Sequence, residues 1–244
     1  MDWHGTSLTE ERTEMNIKVV TTYNNELYNK YAHRFFNTYN WPFEIMSYNE
    51  DKNMFNLIPE CKNFIDRNAN RQVKNFRFDG VRFCYKVYAY THAMLNENID
   101  GLICMDADCV FYKPIDINFI KNHLHKDDHM MAYMGRYMLY SECGFLYFNL
   151  QHPETKNFAR EMQEMYNQDK IYKLNEYHDS FVWDTVRKQF EKNRGVKNID
   201  ITNNSKMEHA QAGSVLCKYY DHCKGDRKIL GLSPENKHKT KETK

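Results

Sequence analysis

An apolar run, residues 101–105, ends in the acidic motif Asp106-Ala107-Asp108. A short run of this composition predicts a buried β-strand over residues 100–105. Residues i and i+2 of an extended chain point the same way, so both carboxylates could share one hard divalent cation. Open α/β sheets bind ligands in the crevice outside the carboxyl ends of their strands, and the pair lies at such an end.

The segments around this strand alternate between strand and helix patterns. Residues 17–22 have the pattern of a buried first strand, residues 25–37 that of the helix after it, and residues 43–48 that of a second strand. Residues 79–95 place apolar side chains at helical spacing and predict a long helix. Further along, the predicted strands are 129–134 and 144–149, the predicted helices are 153–167 and 179–191, and residues 194–218 fit neither pattern. This order predicts an α/β fold.

Composition limits the class of partner and the compartment. The chain has 244 residues, enough for one large α/β domain. Its 34 basic and 33 acidic side chains nearly cancel, so no global field favours nucleic acid or an anionic membrane as the main partner. The seven cysteines lack the spacing of a zinc site or a disulfide framework and indicate reduced thiols. Because no apolar run approaches the roughly 20 residues that span a bilayer, we expect a cytoplasmic protein.

The two ends of the chain differ in composition from its centre. Residues 1–16 are expected to form an N-terminal extension, since the first strand pattern begins only after Met15. Residues 17–232 are expected to form the catalytic domain. Residues 233–244 are rich in lysine and nearly free of apolar side chains, which predicts a flexible basic tail. The sharper alternative for this tail is a weak contact with a membrane surface.

A second motif lies near the C-terminus, where residues 222–228 fit the pattern His-x-x-Gly-x-x-Lys. A neutral imidazole together with two carboxylates suits Mn²⁺ or Mg²⁺. With the Asp-x-Asp motif, this pattern resembles metal-dependent glycosyltransferases of the GT-A fold, and in particular the glycogenin-like and bacterial galactosyltransferase-like retaining enzymes. One departure is that Ile229-Leu230 replaces the Pro-Trp that usually follows the family's lysine.

The resemblance covers residues 17–232 and implies a single α/β domain of the GT-A type, with a Rossmann-like mixed central sheet flanked by helices. It implies a metal site of Asp106, Asp108 and His222, with Asp106 also next to the donor. It further implies that Gly225 and Lys228 contact the diphosphate.

Two further acidic residues are candidates for catalysis under this resemblance. Glu142 stands in Glu142-Cys143-Gly144, where retaining members usually have Asn-Ala-Gly, and it could contact sugar hydroxyls, lie near the anomeric carbon, or be a turn residue. Asp179 begins a predicted helix at the place of the family's Asp-Gln motif. It could bind sugar or act in catalysis, or it could only cap the helix.

The remaining candidates would bind the nucleotide and diphosphate. Thr21 and Tyr23 follow the first strand, where GT-A enzymes hold the base and ribose, and Tyr23 could stack on uracil or be a core aromatic. Arg82 and Lys86 lie four residues apart on one helical face and could act together on an anion, or they could face solvent. Arg77 belongs to the same basic stretch.

These assignments predict transfer of a sugar from a nucleotide diphosphate sugar, with UDP as the expected nucleotide, to an acceptor hydroxyl with retention. If the enzyme inverts, Asp179 or Glu142 would be the general base.

The acceptor stays open among a glycan, which ranks first, a lipid-linked precursor, a protein, a small molecule and a modified base in nucleic acid. A nucleotidyltransferase or nucleotide-sugar phosphohydrolase is the alternative, since paired aspartates and Mg²⁺ also serve phosphoryl chemistry, although no Gly-rich loop follows the first strand. The third hypothesis is a carbohydrate-binding protein that has no catalytic activity.

Overall fold

A computed structural model describes residues 15–204, 206 and 209–235. Residues 1–14 of the expected extension and residues 236–244 of the expected tail lie outside this range, and so does the expected membrane contact of the tail. Ser233, the first residue of the expected tail, is fully buried, and its N–H donates to Asp221 Oδ2 at 2.6 Å. Among the described residues, no helix is both long and apolar enough to cross a membrane.

The centre of the fold is a mixed β-sheet. The strands are β1 (Ile17–Tyr23), β2 (Glu44–Asn49), β3 (Gly101–Met105), β4 (Cys109–Phe111), β5 (His129–Met134), β6 (Glu142–Asn149), β7 (Lys197–Asp200) and β8 (Tyr220–His222). Six of them form the sheet in the order β2-β1-β3-β6-β5-β7, and β4 pairs with β8 in a separate antiparallel ribbon. β1 is parallel to β2 and β3, whereas β6 is antiparallel to β3 and β5.

Helices cover both faces of this sheet. They are α1 (Asn25–Leu27), α2 (His33–Thr38), α3 (Met54–Leu57), α4 (Pro59–Asn68), α5 (Gly80–Asn96), α6 (Ile117–His123), α7 (Thr155–Asn167), α8 (Asp179–Arg194) and α9 (Arg227–Leu230), with a π-helical turn between α1 and α2. Leu102 and Cys104 of β3 face one apolar cluster, with α4, α5, α7 and α8. Ile103 and Met105 face the other, with α2 and α6. Since alternate residues of a strand point to opposite faces, this explains why all of β3 is apolar. The expected mixed α/β fold is confirmed.

The predicted elements are present with small shifts at their ends. The largest shift concerns α8, which ends at Arg194 rather than at residue 191. β6 begins at Glu142 rather than at residue 144, so that Glu142 belongs to the strand and not to the turn before it. The helix predicted from residue 79 begins at Gly80, because the Asp79 side chain caps it by accepting the Arg82 N–H at 3.0 Å. The unassigned stretch 194–218 contains β7. No disulfide joins any of the seven cysteines, all of which are among the described residues.

Candidate metal and donor-binding site

The Asp-x-Asp motif lies where the central strand leaves the sheet. β3 is buried along its whole length, and the Asp106 N–H donates to Gly144 O at 3.1 Å, which fixes the first aspartate against β6. The chain then turns through Ala107, and Asp108 directly precedes β4. The Asp106 side chain is 27% exposed and that of Asp108 is 6% exposed. Two carboxylates therefore occupy one short turn between buried strands, with Asp106 open to a ligand.

The ribbon of β4 and β8 carries His222 to the two aspartates. Cys109, the residue after Asp108, pairs directly with His222 across the ribbon. His222 Nε2 lies 3.0 Å from Asp108 Oδ1 and 3.4 Å from Asp106 Oδ2. One potential ligand atom of each of these residues lies within 4.8 Å of the others. We call Asp106, Asp108 and His222 the metal cluster, and the fold brings these three predicted ligands together from distant parts of the sequence.

The metal cluster has a donor set that fits a divalent cation. Asp108 Oδ1 is buried and lies against the His222 ring. Burial opposes a charged imidazole, but the carboxylates of Asp108 and Asp106 outweigh it and raise the pKa of His222 to about 9. The protonated His222 ring thus offsets the negative charge of the two carboxylates. A cation bound by all three side chains would take over this role and release the proton. Two carboxylates and one imidazole are ligands that Mn²⁺ and Mg²⁺ accept.

The His222 ring packs directly against the backbone of β6. A Cβ placed on Gly144 would lie 2.1 Å from His222 Cε1 and 2.5 Å from its Nδ1. No side chain fits between this strand and the ring, so glycine is required at position 144 for the close approach. Gly144 of β6 thus positions the ring of a predicted metal ligand.

We expect Gly144→Ala to weaken Mn²⁺ binding roughly ten- to a hundredfold, because the methyl group must displace a ligand ring. The same crowding should lower the free energy of unfolding by about 2 kcal/mol. Calorimetric Mn²⁺ titration and denaturant unfolding measure the two effects. In a His222→Ala background the space is open, and Gly144→Ala should then cost much less stability. An equal cost in both backgrounds would contradict the contact.

Lys86 connects the metal cluster to α8. Its Nζ lies 2.7 Å from Asp106 Oδ1 and 2.8 Å from Asp179 Oδ2, and its side chain is only 10% exposed. Burial opposes the charge, but Asp106 and Asp179 outweigh it and raise the pKa of Lys86 well above its ordinary value. Asp179 is the first residue of α8, and against burial Lys86 lowers the pKa of this carboxyl. Lys86 therefore shares its single positive charge between two carboxylates of its own chain.

A cavity of about 170 Å³, the central cavity, opens beside the metal cluster. On one wall, Lys228 Nζ lies 2.9 Å from Asp108 Oδ2 and 4.9 Å from the centre of the Tyr31 ring. Gly225, at φ 57°, begins the turn that leads into α9 and Lys228, in the left-handed region where glycine carries the least cost. Arg82 of α5, which lies over the Phe83 ring, lines the same cavity. The cavity thus contains basic side chains as well as the two aspartates.

Arg82 also lines a second cavity of about 480 Å³, the strand-end cavity, beyond the carboxyl ends of β1 and β2. Asn24 and Glu50, which follow these strands, lie on its wall. The Glu50 carboxylate accepts from Thr22 Oγ1 at 3.2 Å and from Asn24 Nδ2 at 3.1 Å, and burial raises the pKa of Glu50. Because Arg82 borders both cavities, they meet at this residue.

The other residues predicted to contact the donor lie outside the walls of these two cavities. Thr21 is fully buried in β1. The Tyr23 ring packs against the rings of Tyr28 and Phe36, at 5.5 and 5.2 Å between centres. The Arg77 guanidinium lies at the surface, 3.3 Å from Glu176.

Glu142 lies at the start of β6, two residues before Gly144, and its side chain is 6% exposed. Its carboxylate forms an ion pair with Lys224, from the loop after β8, and lies 3.7 Å from Arg136 Nη1. Burial, reinforced by Arg136, lowers the pKa of Lys224 to about 8. Sequence reasoning missed both cations. Lys224 could have been found, because residues i and i+2 of an extended chain point the same way and Lys224 stands two residues after His222. Nothing in the sequence marks Arg136.

Comparison with known proteins gives only distant likenesses. No protein-family model and no curated protein matches the sequence. Among solved structures, mouse xyloside xylosyltransferase 1 aligns at 10% identity over 76% of this chain and 86% of its own, with a TM-score of 0.43. A glycosyltransferase involved in glycosylation of the major capsid of PBCV-1 aligns at 9% identity over 88% of this chain and 99% of its own, with a TM-score of 0.44.

The glycosyltransferase GlyE of Streptococcus pneumoniae TIGR4 aligns at 12% identity over 78% of this chain and 46% of its own, also with a TM-score of 0.44. The present chain therefore spans less than half of GlyE. Identities and TM-scores this low do not decide the function, and the metal cluster and its cavities have to carry that argument.

Proposed function

We propose that this protein is a metal-dependent glycosyltransferase of the GT-A type that uses a nucleotide diphosphate sugar, with UDP as the nucleotide. The observation that carries the proposal is the metal cluster of Asp106, Asp108 and His222 at the carboxyl end of the central strand. Basic side chains in the central cavity, and a second cavity at the ends of β1 and β2 that shares Arg82 with it, support a diphosphate joined to a nucleoside. The bound ion would be Mn²⁺ or Mg²⁺.

Loss of the diphosphate from the sugar is the step that needs most help. The ion, when bound, supplies Lewis-acid neutralisation of the charge on the departing group. Lys228 and Arg82, which both line the central cavity, would bind diphosphate oxygens, and Gly225 would let the backbone come close to them. Asn24 and Glu50 would form hydrogen bonds to the nucleoside in the strand-end cavity. Thr21 and Tyr23 would support this end from β1.

Retention of configuration is proposed from the state of the two candidate acids. Asp179 stays ionised beside Lys86, which lowers its pKa, and a carboxylate of low pKa is a weak general base. It would instead stabilise positive charge that develops on the sugar. Glu142 is paired with Lys224 and near Arg136, an arrangement that would orient sugar hydroxyls. Because both Asp106 and Asp179 contact Lys86, this lysine would hold them at a fixed separation.

The proposed acceptor is a glycan. A cavity of about 770 Å³, the Tyr140 cavity, lies beside the start of β6 and is lined by Tyr140, Phe181 and the ion pair of Arg187 with Asp184. Aromatic rings next to fixed hydrogen-bonding side chains suit the apolar faces and the hydroxyl groups of sugar rings. Ser141 lines this cavity and directly precedes Glu142, so the cavity adjoins the proposed reaction centre.

Removal of the metal tests the proposal. In a panel of UDP-, GDP- and TDP-sugars with Mn²⁺, we expect release of a nucleoside diphosphate and free sugar from one donor, with water as acceptor. A chelator should lower the rate about a hundredfold or more, and added Mn²⁺ should restore it. The anomer that forms first, followed by NMR, reports retention or inversion.

The reaction products separate this proposal from phosphoryl chemistry. A phosphohydrolase would release a nucleoside monophosphate and a sugar phosphate instead. That product pattern, or turnover unaffected by a chelator, would contradict a metal-dependent glycosyltransferase. Absence of any turnover, together with absence of metal-dependent UDP binding, would contradict it as well.

A further inference from the structure

Two exposed loops carry apolar side chains into solvent. The first loop comprises residues 71–78, before α5, and the second comprises residues 135–141, between β5 and β6. The exposed apolar side chains of the first loop are Val73 (46%), Phe76 (46%) and Phe78 (37%), and those of the second are Tyr137 (48%), Met138 (85%) and Leu139 (58%). Single exposed apolar residues are ordinary on protein surfaces, but a group of six on two neighbouring loops marks an interaction surface.

The two loops lie close together, because both reach the Tyr140 cavity beside the proposed active site. Arg77 from the first loop and Met138 from the second line the same Tyr140 cavity. The rings of Phe76 and Tyr140 both contact the His178 ring, with centres 5.5 and 4.6 Å away. His178 directly precedes Asp179, the acid that pairs with Lys86. A surface that binds both loops would therefore cover the entrance to the reaction centre.

Met138 combines an unfavourable backbone conformation with an exposed side chain. Its φ is 55°, in the left-handed region that glycine and asparagine occupy more readily. The side chain is also the most exposed of the six, so it makes little packing contact that would offset this backbone cost. A strained, exposed methionine at the tip of a loop points to a role outside the folded core.

The charge of the loops is positive. Neither loop contains an aspartate or glutamate, whereas Arg71, Lys74 and Arg77 all belong to the first loop, and Arg77 pairs with Glu176 at 3.3 Å. Arg136 of the second loop is only 13% exposed and faces Glu142, so it adds little to this surface. Lys206 adds a further cation, with its Nζ 5.1 Å from the centre of the Tyr137 ring. The Arg71 guanidinium lies over the Tyr172 ring rather than against a carboxylate. The surface thus combines aliphatic and aromatic tips with basic side chains.

We infer that these two loops dock on an anionic lipid bilayer, and that the acceptor is a glycan carried on a membrane lipid; the acceptor assignment rests on the proposed function, whereas the docking does not. Aliphatic and aromatic tips insert at the boundary between headgroups and acyl chains, and basic side chains attract anionic headgroups. Single-stranded nucleic acid would also meet basic and aromatic groups, but it offers nothing to Met138, Leu139 and Val73.

Vesicle sedimentation tests the docking. We expect the full chain to bind vesicles of phosphatidylcholine with phosphatidylglycerol, and to bind much less to phosphatidylcholine alone or at high salt. The variant Phe78→Ser/Tyr137→Ser removes one exposed ring from each loop, and neither side chain lines the central cavity, the strand-end cavity or the Tyr140 cavity. Its partition into anionic vesicles should fall by about tenfold or more. Leu57→Ser, at an exposed position on α3 outside both loops, is the matched control and should bind as the parent does.

Donor hydrolysis separates the two proposals, since it needs neither membrane nor acceptor. The double variant should hydrolyse the donor at the parent rate while it loses vesicle binding. Unchanged vesicle binding by the double variant would overturn the docking inference. So would binding of single-stranded DNA in place of vesicles, or a dimer that the double variant dissociates. If vesicle binding follows expectation but donor hydrolysis is absent, the membrane surface stands and the proposed function fails.

Discussion

Asp108→Asn is expected to abolish metal-dependent turnover, with a fall of about a thousandfold or more in the rate of nucleotide release. The Asp108 carboxylate faces His222 through one oxygen and Lys228 through the other. Asparagine keeps the shape of the side chain but removes the negative charge and one anionic ligand. Mn²⁺ binding should weaken in parallel, and calorimetric titration measures that loss separately from the rate.

A matched acid elsewhere controls for the loss of a negative charge. Asp128 pairs with Lys197 at 2.8 Å, and its side chain is 60% exposed. Asp128→Asn should leave both turnover and Mn²⁺ binding at the parent level. Far-ultraviolet circular dichroism should report an unchanged fold for Asp108→Asn. If that variant keeps more than about a tenth of the parent rate, the aspartate does not act through a metal.

The sheet could be predicted from the sequence because its central strands are short apolar runs with local signals. β3 and β5 were predicted within a residue of their ends, and α5 was predicted from its periodicity and its Asp79 cap. The ribbon of β4 and β8 could not be predicted in this way. β8 has three residues, and it is a strand only because it pairs with a segment more than a hundred positions away.

The metal cluster shows the same division. Motifs identified its three members, but the reason for their proximity is the ribbon together with Gly144, which leaves room for the His222 ring. The four-residue spacing of Arg82 and Lys86 also predicts that both lie on one face of a helix. It does not predict which groups each side chain contacts. Arg82 lines both cavities, whereas Lys86 contacts a carboxylate from the end of β3 and another from α8. Contacts between distant elements decide the role of a charged side chain, and sequence periodicity does not contain them.

Lys86→Met should therefore have the largest effect on stability of any single change considered. Methionine preserves most of the length and apolar volume of the lysine side chain but removes its charge. The partly exposed Asp106 and the buried Asp179 would then both lack the cation that they contact within 3 Å. Breaking a buried ion pair in this way costs about 3 kcal/mol or more of unfolding free energy. Denaturant unfolding in the presence of a chelator measures the cost.

Two comparisons make this result specific to the buried pair. Lys62 pairs with Asp66 on α4, with both side chains more than half exposed, so Lys62→Met should cause little or no change in stability. Added Mn²⁺ should recover part of the loss in Lys86→Met, because a cation bound at the metal cluster neutralises Asp106 and binds only the folded chain. A loss of the same size in both lysine variants would mean that Lys86 acts as surface packing. A loss that Mn²⁺ leaves unchanged would mean that the metal and Lys86 do not share Asp106.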